Sequence, residues 1–325
     1  MESLTRIRTL TTWNGSQTGH AVWAEEAQDA PAPALRGRVL FTDLDGTLLD
    51  ADTYRYDAAR PALDQLRERS IPVIICTGKT RAEVEPLRAE LGNHDPFIIE
   101  NGGALYIPEG YFKVPLPGSS SRDGYRVIEM GVPYPRLRHA LRRIEEQVGV
   151  SLVGFADMTV EDIVKVTGLA HCDAERARQR EYDEPFLIKN SPMALQMTLQ
   201  EVREAAQRLG LTVMSNGRFF HLVGGTDKGR ACRVLIDCYH KERGAISTAG
   251  IGDSPSDIPM FKVVNWPFLV ERPGGGHAEG FEVEGLTRVP GIGPAGWAEA
   301  VKKLLRPIPF QHGPFIVQPL PPFMC

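Results

Sequence analysis

Apolar and polar positions along the chain follow two periods in turn. Residues 39–42, Val-Leu-Phe-Thr, are apolar without a break, the pattern of a strand buried on both faces. Ala58, Ala62, Leu63 and Leu66 then share one helical face, with Asp57 as N-cap. A second unbroken strand spans 71–76. Thr80 with Glu83 reads as a capping box for a helix running to about Gly92. A third strand covers 96–99, and a hairpin is expected around 108–110. Strand, helix, strand, helix, strand predicts an α/β fold with a doubly wound parallel sheet.

The texture changes near Lys113. Residues 115–124 are rich in Pro, Gly and Ser and read as a linker or hinge. Strands are expected at 126–130, 151–155, 185–189, 211–215 and 218–223. Leu137, Ala140, Leu141, Ile144 and Val148 form a helical stripe stopped by Gly149. Further helices are expected at 159–166, 173–182 and 200–209. This mixture predicts a separate α+β unit over 113–221, an ordinary domain size. The first pattern resumes with a helix opening at 226–229, a strand at 245–250, a short helix at 258–261, a last strand at 266–270 and a closing helix at 297–305. The doubly wound domain is therefore expected in two pieces, 36–112 and 222–305, with the other domain inserted. Residues 1–35 end in alternating Ala and Pro and read as a flexible extension, although Trp13 and Trp23 are unusual in a linker. Residues 306–325 hold six prolines and read as a non-helical tail.

Composition narrows the class without choosing a function. A hydrophobic content of 42% and a charged content of 24% over 325 residues fit a soluble globular chain. The formal charge is −4 and there is no dense Lys/Arg block, which argues against a nucleic-acid partner. No apolar run is long enough for a membrane span. The five cysteines include no CxxC pair, and no apolar signal segment opens the chain. Both point to a reducing, cytoplasmic setting.

The candidate chemistry gathers at element ends. Asp43 and Asp45 follow the first strand, with Gly46 and Thr47 turning the chain. Residues i and i+2 of an extended chain point the same way, so the two carboxylates can project together while Leu44 packs oppositely. Thr77 follows the second strand, Lys228 opens a helix, and Asp253 and Asp257 follow the 245–250 strand. Each has a bland counterpart: an acidic turn, a helix cap, a solvated lysine. Together they offer a nucleophilic carboxylate, a proton-transferring carboxylate, a hydroxyl donor, an ammonium and a metal-binding acid. These are the parts for phosphoryl transfer through an aspartyl-phosphate.

On these motifs the chain resembles the haloacid dehalogenase superfamily of phosphatases, in the class with a large cap between the second and third motifs. Lys228 lies 151 positions after Thr77, where a simple crossover needs only about a dozen residues. The segments PVIICTGKTRAEVEPLRAELG, PFIIENGGALYIPEGYF, MTVEDIVKVTGL, ARQREYDEPFLI, SNGRFFHLVGGTDKG and GIGDSPSDIPM are similar to the mannosyl-3-phosphoglycerate phosphatases. The resemblance implies that Asp43 is the nucleophile and Asp45 the general acid and base. It implies that Asp43, the Asp45 backbone carbonyl and Asp253 hold Mg²⁺, with Ser254, Ser256 and Asp257 in support. Thr77 and Lys228 would bind the phosphoryl group. Gly46, Thr47, Gly78, Lys79, Thr80 and Asn101 would line the substrate site, and Arg176, Arg180, Glu181 and Glu184 of the cap would recognise carboxylate and sugar. His221 is expected in the core rather than in the cleft. Two departures from the family pattern are Ser256 for an asparagine and Gly78 for a serine.

The expected activity is Mg²⁺-dependent hydrolysis of mannosyl-3-phosphoglycerate to mannosylglycerate, a compatible solute. The glucosyl analogue or a broader sugar phosphate keeps the same chemistry. A phosphomutase uses the same core, and a non-catalytic binding module is the reading from a different class.

Overall fold

The computed structural model of the protein describes residues 37–189, 195–216 and 219–306. The expected N-terminal extension, with Trp13 and Trp23, and the tail beyond Arg306 lie outside those residues. Six strands run parallel in the larger sheet: β1 (Arg38–Thr42), β2 (Val73–Cys76), β3 (Phe97–Ile99), β11 (Ser247–Gly252), β12 (Trp266–Glu271) and β13 (Thr287–Ile292). Antiparallel β4 (Ala104–Pro108), β6 (Tyr125–Glu129) and β5 (Ser120–Arg122) extend one edge, giving the order β13-β12-β11-β1-β2-β3-β4-β6-β5. Alternate residues feed opposite faces. Leu40, Val73 and Ile75 pack with α1 (Arg60–Glu68), α2 (Arg81–Leu91) and α9 (Pro294–Leu304). Val39, Phe41, Ile74 and Cys76 pack with α7 (Lys228–Arg243) and α8 (Ile258–Phe261). Burial on both faces is why these strands read as unbroken apolar runs.

A second, antiparallel sheet has the order β7-β8-β10-β9, from β7 (Ser151–Gly154), β8 (Glu184–Lys189), β9 (Leu211–Asn216) and β10 (Phe219–Gly224). Leu152, Phe186 and Leu222 face α3 (Tyr134–Val148) and α6 (Leu195–Arg208). Val153, Leu187 and Phe219 face the cluster of α4 (Val160–Thr167) and α5 (His171–Ala177).

Several expectations need correction. The chain does not leave the larger sheet at residue 113, because β5 and β6 add to its edge and the sheet changes only after Glu129. The Pro/Gly stretch is thus the approach to a hairpin within the larger sheet. The strand at 266–270 is not the last; β13 follows it, hidden from sequence by its Pro290 and Gly291. Asp57 opens a short 3-10 turn instead of capping α1, which starts three residues later with Pro61 in its first turn. The helix expected at 173–182 stops at Ala177, and the N–H groups of residues 181–183 turn to a carboxylate on another element. The capping box at Thr80 and Glu83 is present as expected.

Candidate active site

The candidate residues meet at the C-terminal ends of β1, β2 and β11, where an open α/β sheet leaves a crevice. Asp43 follows β1 directly, and its N–H bonds the Ile251 carbonyl of the neighbouring strand at 3.0 Å. Lys228 enters from the first turn of α7, capped by Asp227, which accepts from the Arg230 N–H at 2.8 Å. Its Nζ reaches Asp43 Oδ1 at 2.8 Å and Asp257 Oδ1 at 2.7 Å. The other Asp257 oxygen accepts the N–H groups of Asp253 and Ser254, both at 3.1 Å, so Asp257 holds both the lysine and the strand end. Asp253 completes a group of three buried acids whose ligand oxygens lie within 4.8 Å of one another. Arg272, at the end of β12, approaches Asp253 Oδ2 at 3.5 Å.

The electrostatics follow from this packing. Burial pushes the Asp43 carboxyl up to about 8, the Asp257 and Asp253 charges add to the effect, and Lys228 opposes it. Burial and Asp257 push Asp253 to about 7 against Arg272 and Lys228. Burial works against the Lys228 ammonium, yet Asp257 and Asp43 hold its proton affinity well above the lysine norm. Three carboxylates face one fully buried ammonium and a half-exposed guanidinium. When ionised, the three acids outnumber these two cations, and the ligand atoms they offer are all oxygens. A hard divalent cation fits both facts.

Around this group the expected residues divide. Gly46 adopts φ +74°, and a Cβ there would stand 3.0 Å from Asp253 Oδ2, so the turn excludes side chains. Thr47 Oγ1 donates to Asp253 Oδ1 at 3.4 Å. Asp45 does not join the acid group. Its half-exposed carboxylate pairs with Lys79 Nζ at 3.0 Å, so any part for Asp45 at a cation falls to its main-chain carbonyl. Lys79 also reaches Glu83 at 3.5 Å and lies over the Tyr54 ring. Buried Thr77 accepts from the Lys79 N–H at 3.2 Å. Ser254 Oγ and Ser256 Oγ lie 2.8 Å apart, so Ser256 bonds within its own loop. At Gly78 a Cβ would lie 3.2 Å from the Asn101 amide nitrogen, so the glycine leaves room for that side chain.

The insertion residues have protein partners. Arg176 pairs with Asp173 at 2.8 Å, and its carbonyl accepts from Thr80 Oγ1. Glu181 pairs with Arg122 at 2.9 Å, and buried Glu184 with Arg138 at 3.1 Å. Arg180 is nearly enclosed and donates to the Gly78 carbonyl at 2.8 Å. Asn101 Nδ2 donates to Asp183 Oδ2 at 2.9 Å, and Asp183 holds His221 Nδ1 at 2.9 Å, which makes His221 a satisfied buried histidine.

Sequence reasoning missed Glu100, Asp183 and Arg272. Glu100 is fully buried and accepts backbone N–H groups from Glu181, Tyr182 and Asp183 at 2.7–3.1 Å. Its signal was available: it ends the apolar run at 97–99 as Asp43 ends that at 39–42. Nothing in the polar REYD run marks Asp183 as buried.

Comparison with known proteins gives the setting. A protein-family model described as haloacid dehalogenase-like hydrolase matches residues 40–115. A Methanococcoides burtonii protein named glucosyl-3-phosphoglycerate/mannosyl-3-phosphoglycerate phosphatase is 43% identical over 267 residues, covering 82% of this chain and 97% of its own length. The mannosyl-3-phosphoglycerate phosphatase of Pyrococcus furiosus is 36% identical over 234 residues, 72% of this chain and 90% of its own. Among solved structures, the haloalkanoate-superfamily phosphatase BT1666 of Bacteroides thetaiotaomicron aligns over 86% of this chain and 98% of its own at 18% identity, with a TM-score of 0.56. The subclass IIB sugar phosphatase BT4131 aligns over 82% and 98% at 16% identity, with a TM-score of 0.54. At those identities the two structures speak to the fold alone.

Proposed function

The chain belongs to the haloacid dehalogenase-like hydrolases, in the family of its glucosyl- and mannosyl-3-phosphoglycerate phosphatase relatives, and from that premise we propose that it hydrolyses mannosyl-3-phosphoglycerate to mannosylglycerate and phosphate. The product is a compatible solute, and a reducing cytoplasm suits the unpaired cysteines Cys76, Cys172, Cys232 and Cys238. Among the described residues no helix is long and apolar enough to cross a membrane. The observation that carries the reaction type is Lys228 spanning Asp43 and Asp257 beside Asp253.

In the proposed mechanism a carboxylate oxygen of Asp43 forms a bond to phosphorus as the bond to the glycerate oxygen breaks. Asp45 gives its proton to that leaving oxygen. Asp45, now ionised, takes a proton from water, whose oxygen attacks the aspartyl-phosphate and restores Asp43. Lys228 and the Thr77 hydroxyl hold the phosphoryl oxygens as charge shifts onto them. Lys79, beside Asp45, offers positive charge where the anionic leaving group departs. Asp43, Asp253 and the Asp45 carbonyl would hold Mg²⁺, with Asp257 fixing Lys228. When bound, the ion neutralises acid and phosphate charge together.

The Methanococcoides burtonii relative is named for both sugars, so the glucosyl ester is the second reading. Phosphate release from both glycosyl-3-phosphoglycerates and from simple sugar phosphates, with and without Mg²⁺, tests the proposal. Highest kcat/KM on the mannosyl ester, lost with chelator, is expected. Preference for an unrelated sugar phosphate would overturn the substrate.

A further inference from the structure

Arg180 is expected from the sequence to clamp substrate, but its nitrogens already have partners. Nε donates to the Ala177 carbonyl at 2.8 Å and Nη1 to the Gly78 carbonyl at 2.8 Å. Nη2 lies 4.0 Å from Glu83, and the guanidinium stacks over Phe155. The side chain is only 6% exposed. Gly78 is the residue after Thr77, and the carbonyl that Arg180 holds belongs to the same peptide unit as the Lys79 N–H. In a trans peptide, C=O and N–H point in opposite directions. Among the described residues there are no cis peptides, and the Lys79 N–H does point the other way, to Thr77 Oγ1 at 3.2 Å. With its oxygen accepting from the Lys79 N–H, the Thr77 hydroxyl keeps its hydrogen to donate.

We infer that Arg180 is a positioning residue for phosphoryl binding, acting through a relay from its guanidinium through the Gly78–Lys79 peptide to the Thr77 hydroxyl. A cation on the carbonyl polarises the peptide and strengthens its N–H as a donor, and that N–H in turn strengthens the hydroxyl. The neighbouring carbonyls of the loop are pinned as well. Thr77 O accepts the Asn101 N–H at 2.9 Å and Lys79 O the Glu100 N–H at 3.1 Å. Glu100 and Asn101 hold φ of 46° and 57°, unusual for non-glycine residues, so the 100–101 turn is shaped to meet that loop. Two of the three carbonyls are thus held by the larger-sheet domain and one by Arg180, from the insertion. The Thr77 donor is complete only when residues 176–183 are docked against the loop. Docking is secured independently by Thr80 Oγ1 on the Arg176 carbonyl and by Glu100 on the 181–183 amides.

This inference rests on the phosphatase reading of Thr77, and its two main readouts need no glycosyl substrate. Inhibition by inorganic phosphate and turnover of p-nitrophenyl phosphate are measured on full-length protein with saturating Mg²⁺. Arg180→Ala should raise the phosphate inhibition constant and lower kcat on the small ester, each by about tenfold, the worth of one charge-assisted hydrogen bond. Arg180→Lys should recover part of both and serves as the test variant if the alanine protein does not fold. In a Thr77→Val background, Arg180→Ala should add nothing to the phosphate inhibition constant. An unchanged phosphate constant with a raised KM for glycosyl-phosphoglycerate alone would make Arg180 a substrate ligand. A lower kcat with an unchanged phosphate constant would mean only structural damage. A further tenfold loss in the Thr77→Val background would break the relay. Either of these also overturns the inference. Failure of the wild-type protein to hydrolyse any glycosyl-phosphoglycerate would instead count against the substrate and leave these comparisons standing.

Discussion

Asp43 and Glu100 occupy equivalent places on two strands of one sheet. Each follows a buried apolar run, and each is pushed by burial up to about 8. What faces them differs. Asp43 meets two other acids and a single ammonium, so its environment calls for positive charge that the nearby side chains do not fully supply. Glu100 meets three backbone N–H groups and the Arg180 guanidinium, so every need is met from within the protein. A raised proton affinity therefore does not by itself mark a reactive acid. What marks one is a deficit of charge or of hydrogen-bond partners among its neighbours.

Exchanging each acid should separate the two kinds of site. Asp43→Asn should lower kcat by on the order of 10⁴ or more, since it removes the proposed nucleophile outright. Thermal stability should hold or rise, because an amide among the three crowded acids cannot ionise while Lys228 keeps Asp257. Glu100→Ala should do the reverse. It leaves the amides of residues 181–183 without an acceptor, which costs about 3 kcal/mol or more in denaturant unfolding. Its effect on kcat should be far smaller than that of Asp43→Asn. Comparable losses of stability in both variants, or comparable losses of activity, would erase the distinction.

The same contrast explains which parts were legible in the sequence. The two-face apolar runs 39–42 and 71–76 could only be strands of a covered parallel sheet, and acids or hydroxyls placed at their ends could be read without coordinates. Thr80 and Glu83 declared a helix start by spacing alone. The sequence could not show where the sheet ends, because β5 is short, polar and set in a stretch that reads as a linker, and β6, although legible as a strand, carries nothing that says which sheet it joins. Nor could it tell an arginine that binds substrate from one that binds a carbonyl. Arg176, Arg180, Glu181 and Glu184 carry the right chemistry for a glycoside and a carboxylate. In the fold that chemistry is directed at Asp173, Gly78, Arg122 and Arg138. The partner of a long charged side chain is decided by tertiary packing, whereas an acid at a buried strand end is constrained by its position.

A pH series sharpens the comparison with the smallest effect. Asp43 at about 8, Asp253 at about 7 and Glu100 at about 8 all stand above their ordinary values of 3.8, 3.8 and 4.5. Between about pH 4 and 8 the folded chain keeps protons that the unfolded chain has released. Stability without Mg²⁺ is therefore greatest at the acid end of this window and falls as pH rises to about 8, by up to ~1.4 kcal/mol per pH unit for each titrating group. Saturating Mg²⁺ should flatten the part due to Asp43 and Asp253, because a bound cation stabilises their ionised forms in the folded state. The part due to Glu100, which is not among the proposed Mg²⁺ ligands, should persist, then vanish in Glu100→Gln. Unfolding by urea across pH 5–8, with Mg²⁺ and with chelator, measures both parts. If Mg²⁺ left the slope unchanged, Asp43 and Asp253 would not be the cation's acids. If the slope with Mg²⁺ survived Glu100→Gln, the anchoring carboxylate would already be ionised in the fold, with its charge carried by the 181–183 amides and Arg180.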